Sequence, residues 1–175
     1  NYWHGGEIVR AFASHFSFEF RTGIRDKTLL MMNYLLPIGL YAMLGFMMTQ
    51  LNPDFHKTVI PAMILLAVLF SMVLGLPTPL VTAREAGIFR SYKINGVPAL
   101  SILTIPALTT ILHMVIVAVI ITATAPLLFN APVPVNWFGV TLFFLLAAFA
   151  HAGLGLLISV ISSNSRTVVL WSQLI

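Results

Sequence analysis

Pro126-Leu-Leu-Phe-Asn-Ala-Pro-Val-Pro-Val-Asn136 places prolines at 126, 132 and 134 and asparagines at 130 and 136. It lies inside a run from Ile94 to Ser165 that contains no Asp, Glu, Lys or Arg. A membrane-spanning helix needs roughly 20 apolar residues. The run is too long for one span, and this cluster of turn formers is where it breaks. Two spans result, about Ala99–Leu128 and Trp137–Ile161. How this short stretch is read sets the number of crossings, and with it the side on which every later loop lies.

Upstream, the same rule applies. Thr28 to Pro53 and Thr58 to Ala83 hold no charge apart from their flanks, and give one span each, near Leu29–Leu51 and Thr58–Val81. A fifth apolar run starts after Ser162-Ser-Asn-Ser-Arg166 and reaches Ile175 without room to cross. The natural chain is therefore expected to continue, with about two further spans. Composition agrees with this reading. Charged residues make up 8% of the chain and hydrophobic ones 59%, against about 25% charged in a soluble domain; mean hydropathy is +0.98. The expected class is all-α, a polytopic transmembrane helical bundle. There is no cysteine, hence no disulfide framework and no thiolate metal site.

The basic residues orient the bundle. Arg10, Arg21, Arg25 and Lys27 precede span one, Arg84, Arg90 and Lys93 lie between spans two and three, and Arg166 follows span four. The other side has only Lys57, beside Asp54. Eight of the nine basic residues thus share one side, which the positive-inside rule makes cytoplasmic. The net charge of +4 reads as a topology signal, and no nucleic-acid partner is expected.

Ile8, Phe12, Phe16, Phe20 and Ile24 recur every four residues, with Arg10, Ser14, Ser17, Arg21 and Arg25 opposite and Phe18 out of pattern. The segment is too polar to span. It suits a helix lying in the cytoplasmic interface against lipid, or an amphipathic helix packed on protein. Residues 1–27 are read as a cytoplasmic N-terminal segment containing this helix, and 28–175 as the transmembrane domain.

Asn33, Ser71, His113 and His151 are polar residues within spans. They either line a route for substrate or bond between helices. The two histidines lie on different spans with no carboxylate near in sequence, so no metal site or proton relay is expected. Pro37 and Pro106 are expected to kink their spans. Ala148, Ala152, Gly153 and Gly155 offer close helix approach. No G-x-x-x-x-G-K-[ST], H-E-x-x-H or G-x-S-x-G pattern occurs. Catalytic, cofactor-binding and metal residues are expected to be absent, and any energy for transport must come from elsewhere.

The stretch Thr82–Pro98 is the charged interruption. Thr82-Ala-Arg-Glu85 has the form of a capping box, with Thr82 accepting from the Glu85 N–H and the Glu85 carboxylate reaching back. A helix is predicted to about Lys93, stopped by Asn95-Gly96, with Pro98 in the first turn of the next. Val81, Ile88, Phe89 and Tyr92 fall on one face, with Glu85 among them. Arg84, Arg90 and Lys93 are expected to be solvated or to meet lipid headgroups. An exposed aromatic patch on a capped helix suits docking of a partner.

Taken in order, these parts resemble a known family. They are an interfacial helix, a proline within span one (Leu35-Leu-Pro37), Arg84-Glu-Ala-Gly87 after span two, a glycine-rich span four (Gly153-Leu-Gly155) and a polar end at Ser162–Arg166. The family is the permease subunit of type-2 ATP-binding-cassette (ABC) exporters. Its usual loop is approximately E-R-E-x-G; Arg84-Glu85 and Gly87 match the second half, while Thr82 and Ala83 replace the acidic first part. The resemblance implies a permease homodimer or heterodimer, in membrane lipid, working with a separate ABC ATPase subunit. It implies a multi-pass protein of the bacterial cytoplasmic membrane with its N-terminus inside. It makes Thr82, Arg84, Glu85, Gly87, Ile88, Phe89 and Tyr92 the coupling helix that meets the ATPase, and leaves the permease without covalent chemistry. Two other classes are compatible with the residues: a non-transport membrane assembly or sensory protein that docks a cytoplasmic partner, and a membrane-embedded enzyme. The latter would need more clustered polar groups than two histidines and Asn33.

Overall fold

The computed structural model describes residues 5–94 and 99–174. All of the described regular structure is helical: α1 (Gly5–Arg25), α2 (Lys27–Leu51), a 3₁₀ turn (Pro53–Lys57), α3 (Val59–Glu85), α4 (Ile88–Ile94), α5 (Ala99–Phe129), α6 (Trp137–Ile161) and α7 (Ser165–Leu174). Four of these, in α2, α3, α5 and α6, are long and apolar enough to cross a membrane. They coincide with the four predicted spans to within a few residues, except that α3 runs on past Val81 to Glu85.

Helix α3 is the centre of the bundle, packed against α2, α5, α6 and α7. Its sequence says why. Val59, Ile60, Met63, Ile64, Ala67, Val68, Met72, Leu76 and Leu80 recur at helical spacing on one broad face and all are buried, while Leu65 and Leu69 on the remaining line are apolar and exposed. A helix this apolar over its membrane length stabilises the fold by burying its broad face on its neighbours. Span one meets span three through Tyr41, whose hydroxyl bonds Thr124 at 2.9 Å, and through Gly45. A Cβ at Gly45 would fall 2.5 Å from the Phe129 ring.

The break between α5 and α6 begins later than the first proline. Pro126 stays within the last turns of α5. Asn130, with φ of 51°, ends the helix in the left-handed region that asparagine tolerates. Asn136 then caps α6, accepting from the Gly139 N–H at 2.8 Å. At the other connection on this end, Lys57 pairs with Asp54 at 2.6 Å. The one basic residue on this side is thus locally neutralised, which sharpens the charge asymmetry. At the start of span one, Asp26 caps α2 through the N–H groups of Thr28 and Leu29, at 2.8 and 3.1 Å.

Prolines are absorbed by widened turns. A π-turn, Met31–Leu35, precedes Pro37, and a second, Phe70–Gly75, precedes Pro77. In each, the N–H of the residue before proline reaches five residues back, Leu36 to Met31 and Leu76 to Ser71. This relieves the clash of the proline ring with the preceding turn. Pro106 sits inside continuous α5, where the hydroxyls of Thr109 and Thr110 donate to its carbonyl at 2.9 and 2.8 Å. Pro77 leaves the carbonyl of Val73 without its usual helical donor. The Ser172 hydroxyl of α7 supplies one at 2.8 Å. Ser71, in the same π-turn, has a fully buried hydroxyl with no partner among the described residues. Ser172→Ala is accordingly expected to cost about 1 kcal/mol, and Ser71→Ala to be neutral or stabilising. Thermal unfolding of the two variants in detergent checks the pair.

Helix α1 lies against α5. Gly23 is buried and Phe16, Glu19 and Phe20 are half-buried, while Phe12, Phe18 and Ile24 are exposed. The face on protein is therefore rotated from the predicted stripe, with Ile24 outside it and Glu19 inside it. Of the predicted small-residue approach on span four, Ala148, Ala152 and Gly155 are buried, whereas Gly153 faces open space.

Candidate functional site

The charged interruption is two helices and not one. Thr82 lies inside the last turns of α3, where its hydroxyl donates to the Thr78 carbonyl at 2.9 Å. This is the back-bond of a helix-interior threonine, so the predicted capping box is not formed. The backbone around Thr82 already belongs to a helix entering from Pro77, and there is no free N-terminus to cap. The break comes at Ala86-Gly87. The Gly87 N–H closes onto the Arg84 carbonyl at 3.0 Å, and Gly87 adopts φ of +73°, a conformation cheap only for glycine. Helix α4 restarts at Ile88. The predicted stop at Asn95-Gly96 and the role of Pro98 lie outside the described residues.

Arg84 and Glu85 have partners far along the chain. The Arg84 guanidinium, half-buried and not solvated as predicted, donates through Nη1 to the Ser159 carbonyl at 3.0 Å and through Nη2 to the Ser162 carbonyl. These are carbonyls at the C-terminal end of α6. Glu85 Oε2 accepts from the Ser165 hydroxyl at 2.5 Å, and Oε1 lies 3.4 Å from the Ser165 N–H. Ser165 opens α7. A cation thus meets the negative end of one helix and a carboxylate meets the positive end of the next, the favourable sense for both dipoles. The α6–α7 turn is itself fixed by Asn164, whose Oδ1 accepts from the N–H groups of Arg166 and Thr167, both at 3.0 Å. Arg84-Glu85 and Ser162–Arg166, two weak motifs in sequence, form one clamp.

The faces of α4 also differ from prediction. Val81 is buried with Val73, Ile158 and Val168. Phe89 is half-buried and packs on the hydrophobic core, and Tyr92 meets His15 of α1 edge-on at 5.8 Å. Ile88 and Ile94 point outward, 41% and 76% exposed, with Arg90 exposed beside them. The aromatic residues hold α4 to the bundle and the isoleucines are left free. Gly87, also exposed, has open space around it.

Within the spans, His151 Nδ1 meets its own helix at the Ala147 carbonyl, 2.7 Å. His113 Nδ1 bonds the Tyr34 hydroxyl at 2.6 Å. The described residues contain no group of three His, Cys, Asp or Glu able to hold a metal.

Two residue sets escaped the sequence reading. Ser159, Ser162 and Ser165 act through backbone carbonyls, an N–H and one hydroxyl, and only the polar run Ser162–Arg166 hinted at them. Glu19 was hidden in the polar share of an amphipathic pattern.

Four helices long and apolar enough to span, joined through a charged helix and clamp at one end, fit a multi-pass membrane protein. A family model described as ABC-2 type transporter matches residues 10–175, and the chain belongs to that family as a transmembrane component of such a transporter. No curated protein and no solved structure matches it.

Proposed function

We propose that the chain is the permease of an exporter driven by a separate ABC ATPase subunit, and that α4 is the element the ATPase grips. The supporting observation is the α3–Gly87–α4 arrangement. Helix α4 hangs from the central span through a glycine turn. It offers Ile88 and Ile94 outward, and the two residues before the turn are clamped to the α6–α7 turn. In this reading ATP binding closes the ATPase pair, moves α4, and the clamp carries the movement into spans two and four. Substrate passes outward along the interface of a homodimer or heterodimer of permeases. The end bearing the basic residues is cytoplasmic, as is the N-terminus, in a bacterial cytoplasmic membrane. Phe12, Phe18 and Ile24 of α1, with Arg10, Arg21 and Arg25, suit contact with lipid acyl chains and headgroups.

The test uses the permease co-expressed with its cognate ATPase. Ile88→Glu and Ile94→Glu are expected to weaken ATPase association by about 2 kcal/mol or more, roughly 30-fold, if they sit at the centre of the contact, with unfolding temperature unchanged. Phe89→Ala is expected to act on the fold first, lowering the unfolding temperature, because its ring packs on the core. Unchanged association in both glutamate variants would remove α4 from the interface. In intact cells, Ser163→Cys should be shielded from an impermeant thiol reagent and Val135→Cys, 97% exposed in the parent residue, should be labelled; the reverse pattern would invert the orientation.

A further inference from the structure

Where α1 closes on α5 there is a small cavity of about 30 Å³, lined by Glu19 and Gly23 of α1, Asn33 of α2, and Thr109, Thr110 and His113 of α5. Asn33, Thr109, Thr110 and His113 are all buried. A cavity of this size admits a water when two to four polar groups are there to hold it, and here three elements supply them. The wall is rigid. Tyr34 holds the His113 ring through Nδ1, and Phe20 stacks on it at 4.6 Å and 12°. Gly23 leaves room for Nε2, which would lie 2.6 Å from a Cβ there. Glu19 stands one helical turn before Gly23, on the same face.

We propose that this cavity is a proton site. It holds Glu19 as the neutral acid, with one water between the carboxyl and the polar wall of α2 and α5. Protonation docks α1 on span three and ionisation loosens it. The balance is one proton, taken from solvent at the α1 end of the bundle by the carboxylate and returned there.

The surroundings of Glu19 shift its carboxyl toward the neutral form. Burial raises its pKa above the usual 4.5, and His15, on its own helix, opposes this only in part. Facing it from the other elements, α5 brings His113, α2 brings Tyr34 against that histidine, and α4 brings Tyr92 against His15. Among the described residues the ion pair is Lys57–Asp54, at the far end of the bundle. The sign follows from linkage. The docked state binds the proton more tightly than the undocked one, so docking is strongest below the exposed carboxyl's pKa. It weakens as pH rises toward the docked value, by up to about tenfold per pH unit.

Amide hydrogen exchange of the full permease in lipid nanodiscs reads this directly, with rates corrected for intrinsic exchange at each pH. In the wild type, protection of residues 12–25 is expected to fall as pH rises above the exposed carboxyl's 4.5, with the spans unchanged. Glu19→Gln should keep the acid-form protection at every pH, and His15→Gln should retain the fall. Wild-type protection that does not vary with pH would overturn the proposal. So would an unaltered fall in Glu19→Gln, or a fall abolished by His15→Gln alone. Thermal unfolding of each variant verifies that the spans are intact.

Discussion

Replacing Gly155 with alanine is expected to destabilise the folded permease strongly, while the same change at Gly153 is expected to be neutral or slightly stabilising. A Cβ at 155 would sit 2.1 Å from the Met72 carbonyl oxygen and 3.1 Å from its carbon. Both are backbone atoms, so no rotamer change relieves the clash. Met72 lies in the π-turn that precedes Pro77, where the helix has already widened to accommodate the proline ring. Moving it would disturb Leu76 N–H to Ser71 and Ser172 to Val73 together. Overpacking of a well-packed core costs about 1–3 kcal/mol and at times more; a backbone collision between the central span and span four belongs at the upper end. At Gly153 a Cβ meets nothing within 4 Å, and alanine favours the helix by roughly 0.5–1 kcal/mol. Size-exclusion profiles and unfolding temperatures of the two variants, prepared side by side, decide it. A Gly155→Ala protein that elutes and melts like the wild type would mean that spans two and four do not meet as closely as described.

Arg84→Ala is expected to free the α6–α7 turn and to uncouple transport from ATP hydrolysis. The guanidinium is half-buried and holds two carbonyls at once, and hydrogen bonds from a charged donor contribute about 1.5–3 kcal/mol. Lysine restores the charge but not the planar fork that spans Ser159 and Ser162, so Arg84→Lys should recover only part of the loss. The Glu85 series reports on the other half of the clamp. Glu85→Gln keeps an acceptor for the Ser165 hydroxyl but forgoes the charge at the start of α7, worth about 0.3–1 kcal/mol; Glu85→Ala loses both. Hydrogen exchange at residues 162–168 should rise in the order Gln, then Ala. ATP-driven substrate uptake into inverted vesicles should fall more steeply than ATPase activity in Arg84→Ala. Equal loss of the two activities would assign Arg84 to stability alone.

The four crossings follow from sequence because the bilayer imposes a one-dimensional test. A helix must present about 20 apolar residues in a row, and charge-free blocks with turn formers between them are visible without any knowledge of contacts. The Pro126–Asn136 stretch divided the longest block correctly, and the basic residues marked one end, for the same reason. Local pattern failed wherever the deciding partner was distant. Thr82-Ala-Arg-Glu85 has the spacing of a capping box, but spacing cannot say whether a helix already arrives from Pro77, nor that Ser159, Ser162 and Ser165 wait across the bundle for Arg84 and Glu85. Phe89 and Tyr92 were legible as one face of α4, yet whether that face meets a partner or the protein's own core depends on how α4 folds back after Gly87. Gly153 and Gly155 are alike in sequence. Two residues along a helix turn the chain by roughly 200°, so one faces open space and the other receives the Met72 carbonyl. Glu19, one polar residue among several on an amphipathic helix, shares a cavity with His113 only because α1 packs on α5. Burial and long-range pairing are properties of that packing, and it alone decided them.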